Sequence, residues 1–232
     1  MPTKLYGLTE SDRSRIIELL RNSGVSGDTI PGRTDFEQQL AKRSFKCTAA
    51  CPAYGVMRIT AVSLNSSNWP RFTTAQPNTT FCRFYLVNGP VAAVDGGDGF
   101  YYGCGTFLHD GGHVLYDTAN TPAFGESWGP QNGAWTITKN RWGFDIFGGT
   151  AGSGSTSRVV AKQYVVNHIL GKTASAHAKG ASGTINLYAG VLGSETSISM
   201  TVTAWNRYVA LGSGKWAECS WVNGWSVTAG EC

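Results

Sequence analysis

Apolar and polar residues alternate with a period of two along most of the chain after residue 54, and this alternation predicts β-strands. It is clearest in residues 56–62 and 80–87. Further β-prone runs, separated by turns rich in Gly, Asn and Asp, occupy residues 100–108, 113–116, 135–139, 144–147, 158–169, 183–188 and 197–205. Short strands with regular turns indicate an antiparallel sandwich or barrel.

The last two β-prone runs, residues 215–222 and 225–229, are separated by Asn223-Gly224, the signature of a two-residue type I′ hairpin turn. Such a turn pairs Val222 with Trp225, Trp221 with Ser226, Ser220 with Val227 and Cys219 with Thr228. Large apolar side chains then lie on both faces of the ribbon. We expect the chain itself to cover one face and a second copy to cover the other, with Trp221 and Trp225 in the subunit contact.

The N-terminal residues follow a helical pattern instead. Polar residues 9–12 form a capping sequence, Gly24 provides a stop, and the apolar stripe between them consists of Ile16, Ile17, Leu19 and Leu20. A helix of about three turns is marginal by itself, so we expect it to dock on another subunit through Ile16 and Leu20. Residues 22–33, rich in Gly and Pro, predict an extended arm.

These patterns predict a mainly β fold with two small antiparallel β-sandwich or barrel modules, preceded by a short N-terminal helix and an extended arm. Residues 148–157, with the sequence GGTAGSGSTS, have the composition of a flexible linker, and all eight prolines precede them. We therefore predict an N-terminal anchoring region at residues 1–46, a first β module at residues 47–151 and a second at residues 158–232.

Charge and composition restrict the classes of partner that the chain can bind. The 232 residues carry a net charge of +4, spread evenly along the chain, which argues against a nucleic-acid surface. No apolar run is long enough to span a membrane and the first residues lack a signal-peptide core, so we expect no membrane contact and synthesis without a signal peptide. Six scattered cysteines in a chain of ordinary domain size predict buried thiols.

One motif matches a catalytic signature. Gly125-Glu126-Ser127-Trp128-Gly129 fits G-x-S-x-G, and Asp145 followed by His168 or His177 completes the order Ser, Asp, His. The nucleophile elbow needs a strand that turns into a helix, whereas here a turn at residues 129–133 leads to another strand. We interpret the motif as a structural turn and predict no catalytic residue.

Three other patterns fall short of a cation site. His109 and His113 flank a Gly-Gly turn that disfavours a helix, so their spacing does not bring the imidazoles together. Residues 95–99 lack the third oxygen ligand and the closing Glu of a calcium loop. Cys47 and Cys51 have no second cysteine pair with which to complete a zinc site. We predict no metal and no cofactor.

Aromatic residues leave a binding function open. The eight tryptophans could include a platform for stacking on sugars, although most large aromatics in β modules belong to cores. Three tryptophans in predicted loops, Trp69, Trp128 and Trp142, are the candidates for facing a glycan.

Three stretches together carry a resemblance to known proteins: Phe84–Pro90 (FYLVNGP), the run from Val114 to Pro130 leading to Trp142-Gly143-Phe144, and Leu170–Thr173 with residues 178–184 and the terminal hairpin. They resemble structural proteins encoded in tailed-phage and prophage-like gene clusters over most of residues 50–232. The shared sequences are turns and strands rather than catalytic signatures.

The resemblance implies a virion location and a non-catalytic role, most often as a tail or neck fibre or an adhesin. It also implies a homo-oligomer, with a trimer favoured, that contacts other virion proteins through the N-terminal arm and takes a host surface glycan as a possible ligand. The alternatives are a capsid decoration protein and a glycan-binding β module, and a hydrolase is the least favoured.

Overall fold

The computed structural model describes residues 43–64, 70–189 and 193–231, and within these ranges the chain is mainly β, as the periodicity predicts. The predicted N-terminal helix with Ile16 and Leu20, most of the anchoring region, and Trp69 lie outside the described residues. The strands are β1 (Arg43–Cys47), β2 (Val56–Leu64), β3 (Pro70–Ala75), β4 (Tyr85–Asn88), β5 (Val94–Asp95), β6 (Tyr101–Thr106), β7 (Gly112–Leu115), β8 (Ser127–Pro130), β9 (Ile137–Lys139), β10 (Phe144–Ala151), β11 (Arg158–Gln163), β12 (His168–Thr173), β13 (Ser182–Ala189), β14 (Thr196–Asn206), β15 (Trp216–Trp221) and β16 (Trp225–Gly230).

These strands form three sheets in succession along the chain. The first has the order β1-β3-β2-β4-β6-β5, and an additional pairing of β1 with β6 closes the ring of β1, β3, β2, β4 and β6, with β5 added to the edge of β6. The second has the order β7-β11-β10-β8-β9, and a parallel bridge from Tyr116 to Ile137 joins its edges. If β5 is set aside, both sheets place their strands in the same cyclic order, with one parallel pair between the first and third strands.

The third sheet is a closed barrel with the order β12-β13-β14-β16-β15. Only its third and fifth strands, β14 and β16, run parallel. The barrel occupies residues 168–230 and coincides with most of the second predicted module.

The Gly-rich segment at residues 148–157 joins two strands of one sheet. β10 continues to Ala151 and pairs with β11 through two register shifts, and a single 3-10 turn at Gly154–Thr156 connects the two strands. Gly148 (φ +103°) and Gly149 (φ +67°) have backbone conformations that side chains rarely adopt, which explains the composition. β11 therefore belongs to the second sheet. Residues 164–167 connect it to β12, the first strand of the barrel.

Three apolar cores result from this arrangement. Met57 and Leu86 face the inside of the first sheet with Phe45, Cys47 and Cys51, while their neighbours Val56, Tyr85 and Val87 face the second sheet. β2 and β4 are thus covered on both sides where they begin, because alternate residues serve different cores. The third core fills the barrel and includes Phe81, which comes from the segment between β3 and β4.

Phe81 lies on a segment that runs beside β14. Thr80 pairs with Thr201 in a parallel bridge, and the Phe81 N–H donates to the Thr201 carbonyl at 3.0 Å. The Phe81 ring lies 6.1 to 6.3 Å from the rings of Tyr85, Trp142 and Trp225, counted between centroids. These rings belong to different sheets and their connections, so Phe81 ties the first two sheets to the barrel.

The terminal hairpin forms, but the predicted register is wrong by one residue near the turn. Trp221 is opposite Trp225, Ser220 is opposite Ser226 and Cys219 is opposite Val227, so the loop has three residues, Val222–Gly224. The Val222 N–H donates to the Gly224 carbonyl at 2.9 Å within this loop. A register shift between Glu218 and Cys219 then restores the predicted pairing beyond it.

Candidate functional site

The serine of the G-x-S-x-G motif lies in a strand. Ser127 begins β8 directly opposite Asp145, and its hydroxyl lies 2.8 Å from the Arg141 carbonyl and 2.9 Å from the Tyr164 hydroxyl. His168 lies within hydrogen-bond distance of Ser220, at 3.0 Å, and the His177 Nε2 donates to the Ala181 carbonyl at 3.0 Å. The described residues thus place no histidine on the Ser127 hydroxyl.

The other candidate ligands bond within the protein. Asp98 accepts hydrogen bonds from the Tyr102 hydroxyl (2.6 Å) and the Phe100 N–H (3.2 Å), and the Tyr102 hydrogen bond lowers the pKa of the Asp98 carboxyl. His109 stacks on Phe107, while His113 packs edge-on against Tyr54. No group of three or more potential metal ligands occurs among the described residues.

The cysteines fit the prediction of buried thiols only in part. Cys47, Cys51 and Cys219 are buried, Cys82 is partly buried and Cys104 is exposed; all five are free thiols. Burial raises the pKa of the Cys219 thiol to about 12, and Cys219 is therefore protonated at neutral pH. Cys51 lies in the first core with its thiol pointing toward the Gly55 carbonyl, at 3.8 Å.

The chain itself buries two tryptophans predicted to face a partner: Trp128, a glycan, and Trp225, a second copy. Trp128 is 0% exposed in the core of the second sheet, where its indole N–H donates to Glu126 at 3.0 Å, so its assignment as a glycan-facing residue is wrong. Trp225 is 7% exposed, and Phe81 and Trp221 pack against its ring. The burial that we expected from a second copy is supplied to Trp225 within its own chain.

Trp221 remains available, and it belongs to a surface that sequence patterns did not reveal. The Arg83 guanidinium carbon lies 4.5 Å from the centre of the Trp221 ring and 5.2 Å from that of Phe84. Trp221 is 37% exposed and Phe84 is 44% exposed, and Val222 adjoins them at the hairpin loop. We call Arg83, Phe84, Trp221 and Val222 the Arg83 surface.

Hydrogen bonds hold the Arg83 surface in place. The Arg83 Nε donates to the Val166 carbonyl at 3.1 Å, and its terminal nitrogen donates to the Asn167 side chain. The backbone N–H of Trp221 donates to the Asn167 carbonyl at 2.9 Å. Residues 166–167 thus bind both the Arg83 side chain and the backbone that carries Trp221. Only the register of the hairpin and the path of residues 79–84 bring these side chains together, and neither is visible in the sequence.

A second feature is a depression of about 270 Å³ on the outside of the barrel that β12–β16 form. Strands β12, β13 and β15 line it, and Trp142 reaches it from the connection between β9 and β10. Leu170 pairs with Tyr188 on one side and with Glu218 on the other, so these three outward side chains form one row across the strands. Of the two predicted glycan-facing tryptophans within the described residues, Trp128 and Trp142, the structure places Trp142 at such a surface.

Two carboxylates and a histidine line the same depression. Glu195, Glu218 and His168 contribute to it, and the Glu195 carboxylate accepts the Gly193 N–H at 3.0 Å. The His168 Nδ1 lies 3.8 Å from a Glu218 carboxylate oxygen and 3.0 Å from the Ser220 hydroxyl. Because serine and carboxylate approach the same ring nitrogen, the trio lacks the two-sided arrangement of a catalytic relay.

Comparison with known proteins finds no match: no family model, no curated protein and no solved structure is significantly similar to the chain. Over residues 43–64, 70–189 and 193–231, no helix has the length and apolar character needed to cross a membrane.

Proposed function

We propose that the protein is a non-catalytic structural component of a phage-like particle, of the fibre or adhesin type, and that it works as a homo-oligomer. The resemblance to phage structural proteins over most of residues 50–232, which rests on turn and strand sequences, motivates the proposal. The observation that carries the homo-oligomer part of the proposal is the Arg83 surface, because that surface has the composition and rigidity of a protein contact.

The residue types on this surface are those that dominate binding energy at protein interfaces. Tryptophan and arginine are the most enriched residues at interface hot spots, and aromatic residues are enriched in interface cores. A guanidinium between two aromatic rings also combines cation–π attraction with hydrogen-bonding capacity. Phe84, Trp221 and Val222 are exposed around Arg83, so contact with another chain would remove apolar area from water.

Rigidity favours binding for a separate reason. Association costs roughly 0.5–1.5 kcal/mol for each flexible side chain that it immobilises. The hydrogen bonds of Arg83 to Val166 and Asn167, and the packing of Trp221 against Trp225, hold these side chains in place within the single chain. A partner therefore meets a preorganised surface.

The oligomeric state of the purified full-length chain tests the assembly part of the proposal. Light scattering coupled to size-exclusion chromatography is expected to give a closed oligomer, with a trimer favoured. Trp221→Glu is expected to shift the chain to monomer, since it places a charge in the contact. Phe124→Glu is the matched control, because Phe124 is 80% exposed and does not belong to the Arg83 surface. A monomeric wild-type protein at micromolar concentration would contradict the assignment of this surface.

A further inference from the structure

We propose that the depression on the third barrel binds a neutral or amine-bearing sugar residue of a larger carbohydrate. The Arg83 surface and the depression share no residue, so this proposal rests on different observations from the proposed function. The sequence named three tryptophans as candidates for facing a glycan, and the structure places Trp142 at this depression together with Tyr188.

The apolar part of the depression suits the carbon–hydrogen faces of a sugar ring. Trp142 and Tyr188 supply aromatic surface, and Leu170 lies in the row beside Tyr188. Aromatic rings combine a large apolar area with a defined orientation. Tyr188 is held in place by Trp216, whose ring centre lies 5.1 Å away, and by the Lys172 ammonium 5.1 Å from its own ring centre.

The polar part supplies acceptors for hydroxyl groups. An ionised carboxylate only accepts hydrogen bonds and has two oxygens, so it can accept from adjacent sugar hydroxyls at once. Glu195 and Glu218 lie on the same depression, and Glu195 is oriented by the Gly193 N–H. His168 contacts Glu218 and Ser220 through Nδ1, which leaves Nε2 for a ligand hydroxyl.

Size and charge restrict the ligand. Pockets for drug-sized ligands usually enclose about 300–1,000 Å³, so a depression of about 270 Å³ suits a small unit of a longer molecule. Two carboxylates, Glu195 and Glu218, outnumber the Lys172 ammonium beside Tyr188, so the local charge disfavours phosphates and acidic sugars. The carboxylates accept hydrogen bonds from neutral hydroxyls and from an ammonium group. Nucleic acid, the other polymer with stacking rings, is disfavoured by the same charges.

Binding is tested with the full-length chain on an array of neutral, amine-bearing and acidic oligosaccharides, followed by calorimetric titration with the strongest ligand. We expect neutral or amine-bearing sugars to bind. Trp142→Ala and Tyr188→Ala are each expected to weaken binding by about tenfold or more, equivalent to about 1.4 kcal/mol. Phe124→Ala removes an exposed aromatic ring that belongs neither to the depression nor to the Arg83 surface, and it is expected to leave the affinity unchanged.

Trp142 also packs against Phe81, so its replacement could disturb the fold. Glu218→Gln provides a milder variant, because the Glu218 side chain is 54% exposed and the substitution preserves its shape. It is expected to weaken sugar binding without changing the melting temperature. The proposal is overturned if the array binds no neutral or amine-bearing sugar, if only acidic sugars or oligonucleotides bind, or if Trp142→Ala, Tyr188→Ala and Glu218→Gln all retain full affinity.

Discussion

At the scale of single residues, burial depends on neighbours that sequence patterns do not reveal. Trp128 follows a serine in a Gly-rich motif, yet its strand pairs with β9 and β10 and its ring fills a core. Trp142, 14 positions later, reaches a surface depression instead. Hydrophobic periodicity finds strands, but it does not say which of two faces a neighbouring sheet will cover.

Phe81 is the residue on which the union of the three sheets most depends. It is 5% exposed among three aromatic rings, so Phe81→Ala is expected to lower the free energy of unfolding by about 3–5 kcal/mol. The neighbouring Phe84→Ala is the matched control and should cost less than about 1 kcal/mol, because Phe84 is largely exposed. Denaturant titration monitored by tryptophan fluorescence measures both. Equal losses would refute the role of Phe81.

Glu126 gives the stability a defined dependence on pH. Burial raises the pKa of its carboxyl, but hydrogen bonds from Lys139, the Trp128 indole and the Ala123 N–H outweigh burial and lower that pKa. A lowered folded-state pKa stabilises the fold above the pKa of the unfolded chain, and the stabilisation is lost as pH falls through the folded-state pKa. Acidification should therefore weaken the contribution of Glu126.

Glu126→Gln is accordingly expected to cost about 1.5–3 kcal/mol at pH 7, the range for hydrogen bonds to a charged group. The difference in stability from the wild type should shrink as the pH falls below about 4. Glu231→Gln is the control, because Glu231 forms an exposed ion pair with Lys215 at 3.6 Å that contributes little. A Glu126→Gln difference that is constant from pH 7 to pH 3 would contradict this assignment.

At the scale of elements, sequence patterns predict where strands occur better than they predict which strands pair and in which register. The terminal hairpin and the strands at residues 158–163 and 168–169 could be predicted, because Asn-Gly turns and β-branched residues act locally. The predicted single run over residues 158–169 is wrong at residues 164–167, where the chain leaves the strand. The added loop residue in the hairpin could not be predicted, since it goes with a register shift between Glu218 and Cys219 and a backbone hydrogen bond from Trp221 to Asn167 that local sequence patterns do not reveal. The Gly-rich residues 148–157 have linker composition, and only the pairing of β10 with β11 distinguishes a bulged hairpin from a linker.

The three-residue loop makes a specific prediction about Gly224. Its φ of +133° is a conformation that other residues rarely adopt, and no atom lies within 4 Å of where a Cβ would be. Gly224→Ala is therefore expected to destabilise the chain through backbone strain alone, by about 1–3 kcal/mol. Gly212→Ala is the control, because Gly212 has no positive φ and its nearest neighbour would lie 3.7 Å away. Thermal melting of the two variants measures the difference, and a neutral Gly224→Ala would contradict the loop geometry.

At the scale of the whole molecule, residues 43–64, 70–189 and 193–231 combine two sheets of the same cyclic order with a closed barrel. Neither the repeated order nor the depression at the barrel could be predicted, because both depend on strand pairings distant in sequence. Of the two tryptophans predicted for a subunit contact, Trp221 is exposed and Trp225 is buried by its own chain. Trp142, predicted to face a glycan, lies at a surface that also involves residues from β12, β13 and β15.

The central claim, that the protein is a structural component of a phage-like particle, is tested most directly by where the chain is found. Particles released by the producing cells are purified on a density gradient, washed in high salt and quantified by mass spectrometry. The chain is expected in the particle peak at a fixed copy number relative to the most abundant capsid protein, and resistant to the wash. Recovery only in the soluble fraction, with no peptide in washed particles, would contradict the claim.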